Sequence, residues 1–254
     1  MYTMVMPKRE PGSDDNNTLE EHRLLINRKD WLNRLYCDFY GQMKRVTVPR
    51  GKKVEMGSGA GFIKKIIPDV ITSDVMHGED IDMVFFAEKM PFGNKEVAAF
   101  YLLNTLHHVK DVRKAFAEMN RCLKSGGRVV MIEPANTWWS RIIYRFHKEV
   151  FDPQADWKVD GQDRLSDSNI ALPWIIFVRD RKRFSRLFPG LIIVKVEPQT
   201  PLLYILSGGL SFPQMLPTSF YPVIRQLEAF LARWRWQLGM FMTIELEKVG
   251  NERN

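Results

Sequence analysis

Residues Val54-Glu-Met-Gly-Ser-Gly-Ala-Gly61 decide how this chain is read. A short apolar run ends in glycines at alternate positions, Gly57, Gly59 and Gly61, where a strand is expected to turn into a helix. Glycine suits such a turn because it tolerates positive φ and, lacking Cβ, lets the backbone approach a ligand closely. The stretch is a candidate cofactor cradle.

Its details narrow the ligand. A dinucleotide fingerprint reads G-x-G-x-x-G, with the third glycine packing helix on strand beneath a pyrophosphate. Here that third position holds Phe62. The Lys-Ser or Lys-Thr pair of a phosphate-binding loop is also missing behind the glycines. Instead acidic Glu55 stands just ahead of them, which suits a ligand with a cationic end. S-adenosylmethionine fits, because it carries an amino group and a sulfonium and has no phosphate. The next apolar segment ends at Asp74, at about the 20-residue remove from which an open α/β sheet presents an acid to ribose hydroxyls. An ionised carboxylate only accepts hydrogen bonds, so it can receive both hydroxyl protons.

Around these motifs, strands are expected at Lys53–Met56, Val70–Asp74, Asp82–Phe86, Val97–Leu103 and Arg128–Glu133. An amphipathic helix is expected over Asp111–Leu123, stopped by Ser125-Gly126-Gly127. Such alternation implies a parallel sheet with helices on both faces. Ligands of such sheets sit at the carboxyl ends of the strands, where Glu55, Asp74, Ala87, Asn104 and Glu133 fall.

Five stretches in order then resemble one family, the class I S-adenosylmethionine-dependent methyltransferases, of the group that includes ubiquinone and sterol methylases. They are Val54 to Gly61, Ala87-Glu-Lys-Met-Pro-Phe92, Leu106-His-His-Val109, the helix end at Asn120 to Gly127, and the strand Arg128 to Glu133 before Pro134. The likeness covers residues 50–136. It implies a three-layer αβα Rossmann-like fold with a mostly parallel seven-stranded sheet, its last strand antiparallel. Leu191–Val196 and Phe241–Val249 resemble the family's last two strands. The implied cofactor is S-adenosylmethionine, with S-adenosylhomocysteine as product. Its candidate ligands are Glu55, Gly57, Ser58, Gly59, Gly61, Asp74, Ala87, Glu88 and Asn104. One departure stands out: Phe86 occupies the position of the Asp that contacts adenine in the family, which leaves adenine to backbone groups near Ala87, to Glu88, or to stacking.

A chain of 254 residues with 45% hydrophobic residues is expected to form one domain with additions. Residues 1–17 read as a disordered tail without the apolar core of a signal peptide. A single methyltransferase domain is expected over 18–249: a helical lid at 18–45, opened by a Thr18–Glu21 capping box, a cofactor core at 50–136, and substrate-side helical insertions at 137–190 and 199–239. Residues 250–254 read as a second tail. Trp31 and Tyr36 lie on the lid, where core packing is the plainer role for each. The net charge of +7 favours anionic partners, yet speaks to association and not to fold. The basic residues are spread along the chain, with no dedicated nucleic-acid module. Two cysteines, Cys37 and Cys122, suggest no disulfide framework, which makes a reducing cytoplasm the default location.

Methyl transfer from a sulfonium is an in-line displacement, which positioning alone can accelerate greatly. A general base is needed only when the acceptor is protonated, and histidine has the right pKa for one. His107 and His108 follow the fourth strand and are the candidate catalytic residues. A helix is expected over Trp138–Phe151, where Trp138, Tyr144, His147 and Glu149 are candidate substrate contacts. No His, Cys or carboxylate cluster has metal-ligand spacing along the chain, so no metal is expected. Apolar groups at Ile170–Val178 and Leu202–Leu216 point to a bulky acceptor, either a small molecule or a lipid-linked amphiphile, and to peripheral contact with a membrane. RNA or protein methylation, and an inactive binding or scaffold protein of the same fold, are the alternatives. The sequence does not specify an oligomeric state.

Overall fold

A computed structural model describes residues 23–59, 62–145, 149–159 and 167–250. The expected tail at 1–17, all of the expected 250–254 tail but Gly250, the Thr18–Glu21 capping box, Gly61 and His147 lie outside the described residues.

The seven strands are β1 (Lys52–Met56), β2 (Val70–Asp74), β3 (Met83–Val84), β4 (Val97–Leu103), β5 (Leu123–Pro134), β6 (Leu191–Gln199) and β7 (Phe241–Lys248). They form one sheet in the order β3-β2-β1-β4-β5-β7-β6. The pairs β1/β2, β1/β4, β2/β3 and β4/β5 are parallel. Strand β7 runs antiparallel between β5 and β6, as expected of the last strand. The order reverses between β1 and β4, the switch point at which open α/β sheets bind ligands.

Strand β4, V-A-A-F-Y-L-L, is buried at every residue, as a central parallel strand covered on both faces must be. Its side chains alternate between two cores. Phe100 and Leu102 join Val54, Met56, Val129 and Met131 on one face, whereas Tyr101 and Leu103 join Val130 and Ile132 on the other. Helix α1 (Asp30–Lys44) covers the second face with Trp31, Leu35, Phe39 and Met43. Trp31 is core, fully buried against Tyr221. Helix α2 (Val112–Cys122) covers the first face, its amino end capped by Asp111, whose carboxylate accepts the Lys114 N–H at 3.1 Å. Cys122 is buried and Cys37 half-buried, and both are free thiols.

Several expected elements differ. Behind the glycines stands a 3₁₀ turn, Ile63–Lys65, and no longer helix, because few residues remain before Pro68 and β2. Strand β3 is only two residues long, since the Asp82 carboxylate is drawn across to accept the Thr72 N–H at 2.9 Å. Helix α2 ends at Cys122, and β5 starts at Leu123 with a left-handed Gly126 (φ +73°) absorbing a register shift. Helix α3 spans only Trp138–Tyr144. Further on, Val150 and Asp152 bond to the 169–170 segment, which is incompatible with a continued helix. Residues 175–179 wind as a π-turn into α4 (Arg181–Leu187). The 199–239 insertion carries α5 (Tyr221–Leu231).

Phe184 of α4 is the hub of an aromatic cluster, with ring centroids 5.1 Å from Phe177, 5.2 Å from Phe116 and 5.2 Å from Phe188. Phe184→Ala should cost about 3–5 kcal/mol of stability by lost burial and a residual cavity. Urea denaturation monitored by tryptophan fluorescence measures this, and a loss below about 1 kcal/mol would show that the cluster collapses around the gap.

Candidate active site

Three strand ends converge at the switch point. After β1 the chain turns through Gly57 (φ +65°) and Gly59 (φ +49°), conformations that strongly favour glycine. At Gly57 a Cβ would stand 2.4 Å from Thr105 Cγ2, so the turn is also closed to any larger residue. Ser58 stitches this turn to β2: its N–H donates to Ser73 O at 2.9 Å, and its Oγ accepts the Ser73 N–H at 3.1 Å. Asp74, at the end of β2, accepts the Gly59 N–H at 2.9 Å and the Val75 N–H at 2.7 Å.

Glu55 is buried beneath this loop, bonded through its side chain to Ser58 and Tyr40. Burial, helped by the nearby Asp74 charge, raises its pKa to about 8. Among the described residues its Oε2 has no hydrogen-bond partner, and neither does Asn104 Oδ1 at the end of β4. Two orphaned buried acceptors on adjacent strand ends are costly unless a ligand donor fills them. An ammonium carries three donors, so the residues present fit the amino end of S-adenosylmethionine. Asn104 itself is left-handed (φ +53°), a conformation asparagine tolerates better than most residues, and its side chain bonds to half-buried Tyr36.

The next turn carries the candidate catalytic pair. Glu133, fully buried at the end of β5, accepts the Thr105 N–H at 2.8 Å and the Leu106 N–H at 2.7 Å through Oε1. Its Oε2 lies 2.8 Å from His107 Nδ1, and the far nitrogen of that ring lies 3.5 Å from Glu149 Oε2. Burial disfavours the His107 imidazolium, but its hydrogen bonds to the two glutamates and their charges outweigh this and raise its pKa to about 9. His108, its ring centroid 4.3 Å from that of His107, is driven the other way to about 4 by burial and the His107 charge. In the free protein His107 is therefore charged near neutral pH and His108 neutral. Chain spacing gave no hint of a ligand set, yet His107, His108 and Glu149 place donor atoms within 4.8 Å of one another.

The other expected contacts divide. Tyr144 is buried, its hydroxyl donating to Met240 O at 2.7 Å and its ring against Phe151. Trp138, the first residue of α3 after the Thr137 cap, is 65% exposed, its ring centroid 6.5 Å from that of Trp139. Ala87 packs on the core, and the Glu88 carboxylate accepts the Asp111 N–H at 3.3 Å. Phe86 is 45% exposed. Sequence reasoning placed Glu133 at the ligand end of the sheet without giving it a partner, and gave no role to Thr105 or Tyr204. Tyr204, half-buried on the insertion, is close enough to Tyr36 and Glu149 for their charges to add to the rise that burial gives its pKa. A groove of about 730 Å³ lined by Gln42, Arg45, Glu197 and Arg225 contains none of the candidate ligands.

Residues 54–131 match the family described as a methyltransferase domain. No curated protein sequence matches the chain. Among solved structures, a Thermotoga maritima S-adenosylmethionine-dependent methyltransferase is similar at 16% identity, covering 90% of this chain and 94% of its own, with a TM-score of 0.52. A Haloferax volcanii protein solved as the methyltransferase side of a complex with a methyltransferase activator gives 11% identity, coverage of 91% and 95%, and a TM-score of 0.50. At these identities the likeness is one of fold.

If the orphaned Glu55 takes the cofactor ammonium, binding converts a protonated carboxyl into a carboxylate. Below about pH 8 S-adenosylmethionine binding should therefore release close to one proton, seen as a dependence of the binding enthalpy on the ionisation heat of the buffer. Glu55→Gln should abolish the release; an equal release in this variant would remove Glu55 from the amine site. The raised pKa also makes Glu55 disfavour the native state increasingly as pH climbs from 4.5 towards about 8, since the unfolded chain gives up this proton first. Residues 54–131 thus match a methyltransferase domain, and the chain has the fold of the class I methyltransferases.

Proposed function

We propose that the acceptor is an amphiphile, a small molecule or a lipid-linked one, held between the core and the insertions after Pro134. The observation that carries this reading is the outward face of α5. Phe220, Val223, Leu227, Phe230 and Trp234 recur at helical spacing and are between 41% and 58% exposed, whereas Tyr221 on the inner side is buried. A helix whose apolar stripe faces solvent is fitted to an interface, and Phe212, Met215 and Trp236 extend the patch. Arg233 lays its guanidinium over the Phe230 and Trp234 rings of the patch, Arg225 and Arg235 are paired with Asp38 and Glu197, and the one acid of the helix, Glu228, is turned inward to accept the Leu202 and Leu203 N–H groups. Among the described residues no helix is long and apolar enough to cross a membrane, which leaves peripheral contact as the mode of approach.

The same insertion walls the site through Tyr204, so an acceptor entering from a lipid surface meets His107 and Glu149 beside the cofactor. Asp74 takes the ribose in this reading, through lone pairs left free by the Gly59 and Val75 amides. Exposed Phe86 supplies a stacking face for adenine where the family has a carboxylate.

Purified protein incubated with methyl-labelled S-adenosylmethionine and a cell extract should place label in the organic-soluble or small-molecule fraction. Phe230→Ser combined with Val223→Ser should cut the organic-soluble label severalfold while donor binding persists. Label confined to RNA or protein would overturn the acceptor class. Failure to bind S-adenosylmethionine or S-adenosylhomocysteine at about 1 mM, a binding free energy weaker than roughly 4 kcal/mol, would make the chain a scaffold.

A further inference from the structure

The turn after β4 brings two imidazoles and a carboxylate together from distant parts of the chain. His107 Nε2 and Glu149 Oε2 stand 3.5 Å apart. Two ligands each about 2.0–2.1 Å from a tetrahedral ion lie about 3.4 Å from one another. His108 supplies a third donor, all three lying within 4.8 Å. An ion pair alone accounts for His107 and the glutamates. It leaves His108 Nδ1, which is shielded from solvent and has no hydrogen-bond partner, unexplained.

The surroundings are those of a metal centre. A ligating histidine usually donates its other ring N–H to a carboxylate, which fixes the tautomer and turns the free lone pair towards the metal. Glu133 Oε2 occupies that position at 2.8 Å from His107 Nδ1, and Glu133 is itself immobilised by the Thr105 and Leu106 amides. Glu149 is held in turn by the Ser168 hydroxyl at 3.0 Å.

We propose that His107, His108 and Glu149 form a three-ligand site for a divalent transition-metal ion of the zinc type, with Glu133 orienting His107. Two imidazoles and one carboxylate suit zinc, cobalt or iron, whereas magnesium and calcium seek oxygen ligands throughout. Three protein ligands leave coordination positions open for an oxygen of the acceptor, the arrangement of catalytic and not of purely structural sites. Coordination there lowers the pKa of a bound hydroxyl and so prepares an oxygen acceptor for methylation. This role in the transfer rests on the acceptor reading above, but metal binding does not.

Full-length protein stripped with a chelator and titrated with Co²⁺ should take up one equivalent, seen as visible absorption bands. Zn²⁺ should displace it, Mg²⁺ should not, and the bound metal should raise the melting temperature. Glu149→Gln and His108→Ala should each weaken binding by at least about 100-fold, and Glu133→Gln by about 10–100-fold. Circular dichroism confirms that each variant is folded; if His108→Ala fails to fold, Glu149→Gln decides. Absence of saturable Co²⁺ or Zn²⁺ binding at about 1 mM, or undiminished binding in Glu149→Gln, would overturn the proposal. Stoichiometric metal without organic-soluble label would overturn only the acceptor reading.

Discussion

The site depends on one buried carboxylate. Glu133 is fully inaccessible, and a carboxyl group in that position is tolerable only if its oxygens are bonded. The Thr105 and Leu106 amides and the His107 ring meet the requirement, and the charge-assisted bonds they make are strong ones. These contacts tie the end of β4 to the end of β5. They also fix the turn that sets Asn104 in its left-handed conformation, Thr105 against Gly57, and His107 towards Glu149. Cofactor loop and candidate catalytic pair thus share one anchor.

Around that anchor the electrostatics separate into two regions. At the donor end, Glu55 Oε2 and Asn104 Oδ1 are acceptors without donors among the described residues, suited to an ammonium. At the acceptor end, two glutamates and two histidines form a dense polar cluster walled by Tyr144 and Tyr204. In the proposed reading the reacting methyl group lies between them, where the displacement gains from orientation. The insertions contribute a different property. Their inner residues Leu203 and Tyr221 join the core, and α5 leaves an apolar stripe exposed on the outside.

Much of this was legible in the sequence because the informative patterns are local. The uninterrupted apolar run Val97–Leu103 marks a central strand, and glycines at 57 and 59 mark a turn only glycine adopts readily. Acids and amides at strand ends then fall into the cleft by topology alone. What remained hidden depended on distance or direction. The grouping of His107, Glu133 and Glu149 needs two long-range contacts that no spacing encodes. Periodicity identifies the apolar stripe of α5 without saying whether it faces core or solvent. Likewise a tryptophan at the start of α3 reads as a pocket wall, but it lies exposed. The expected helix behind the glycine loop failed for a simpler reason, since the chain before Pro68 is too short to hold one.

The most direct test of this account is the structure of the protein with S-adenosylhomocysteine bound. The account predicts the amino group of the ligand against Glu55 and Asn104, its ribose on Asp74, and its sulfur directed towards the turn that carries His107. A ligand bound away from Gly57 and Gly59, or one with its sulfur turned from that turn, would contradict it.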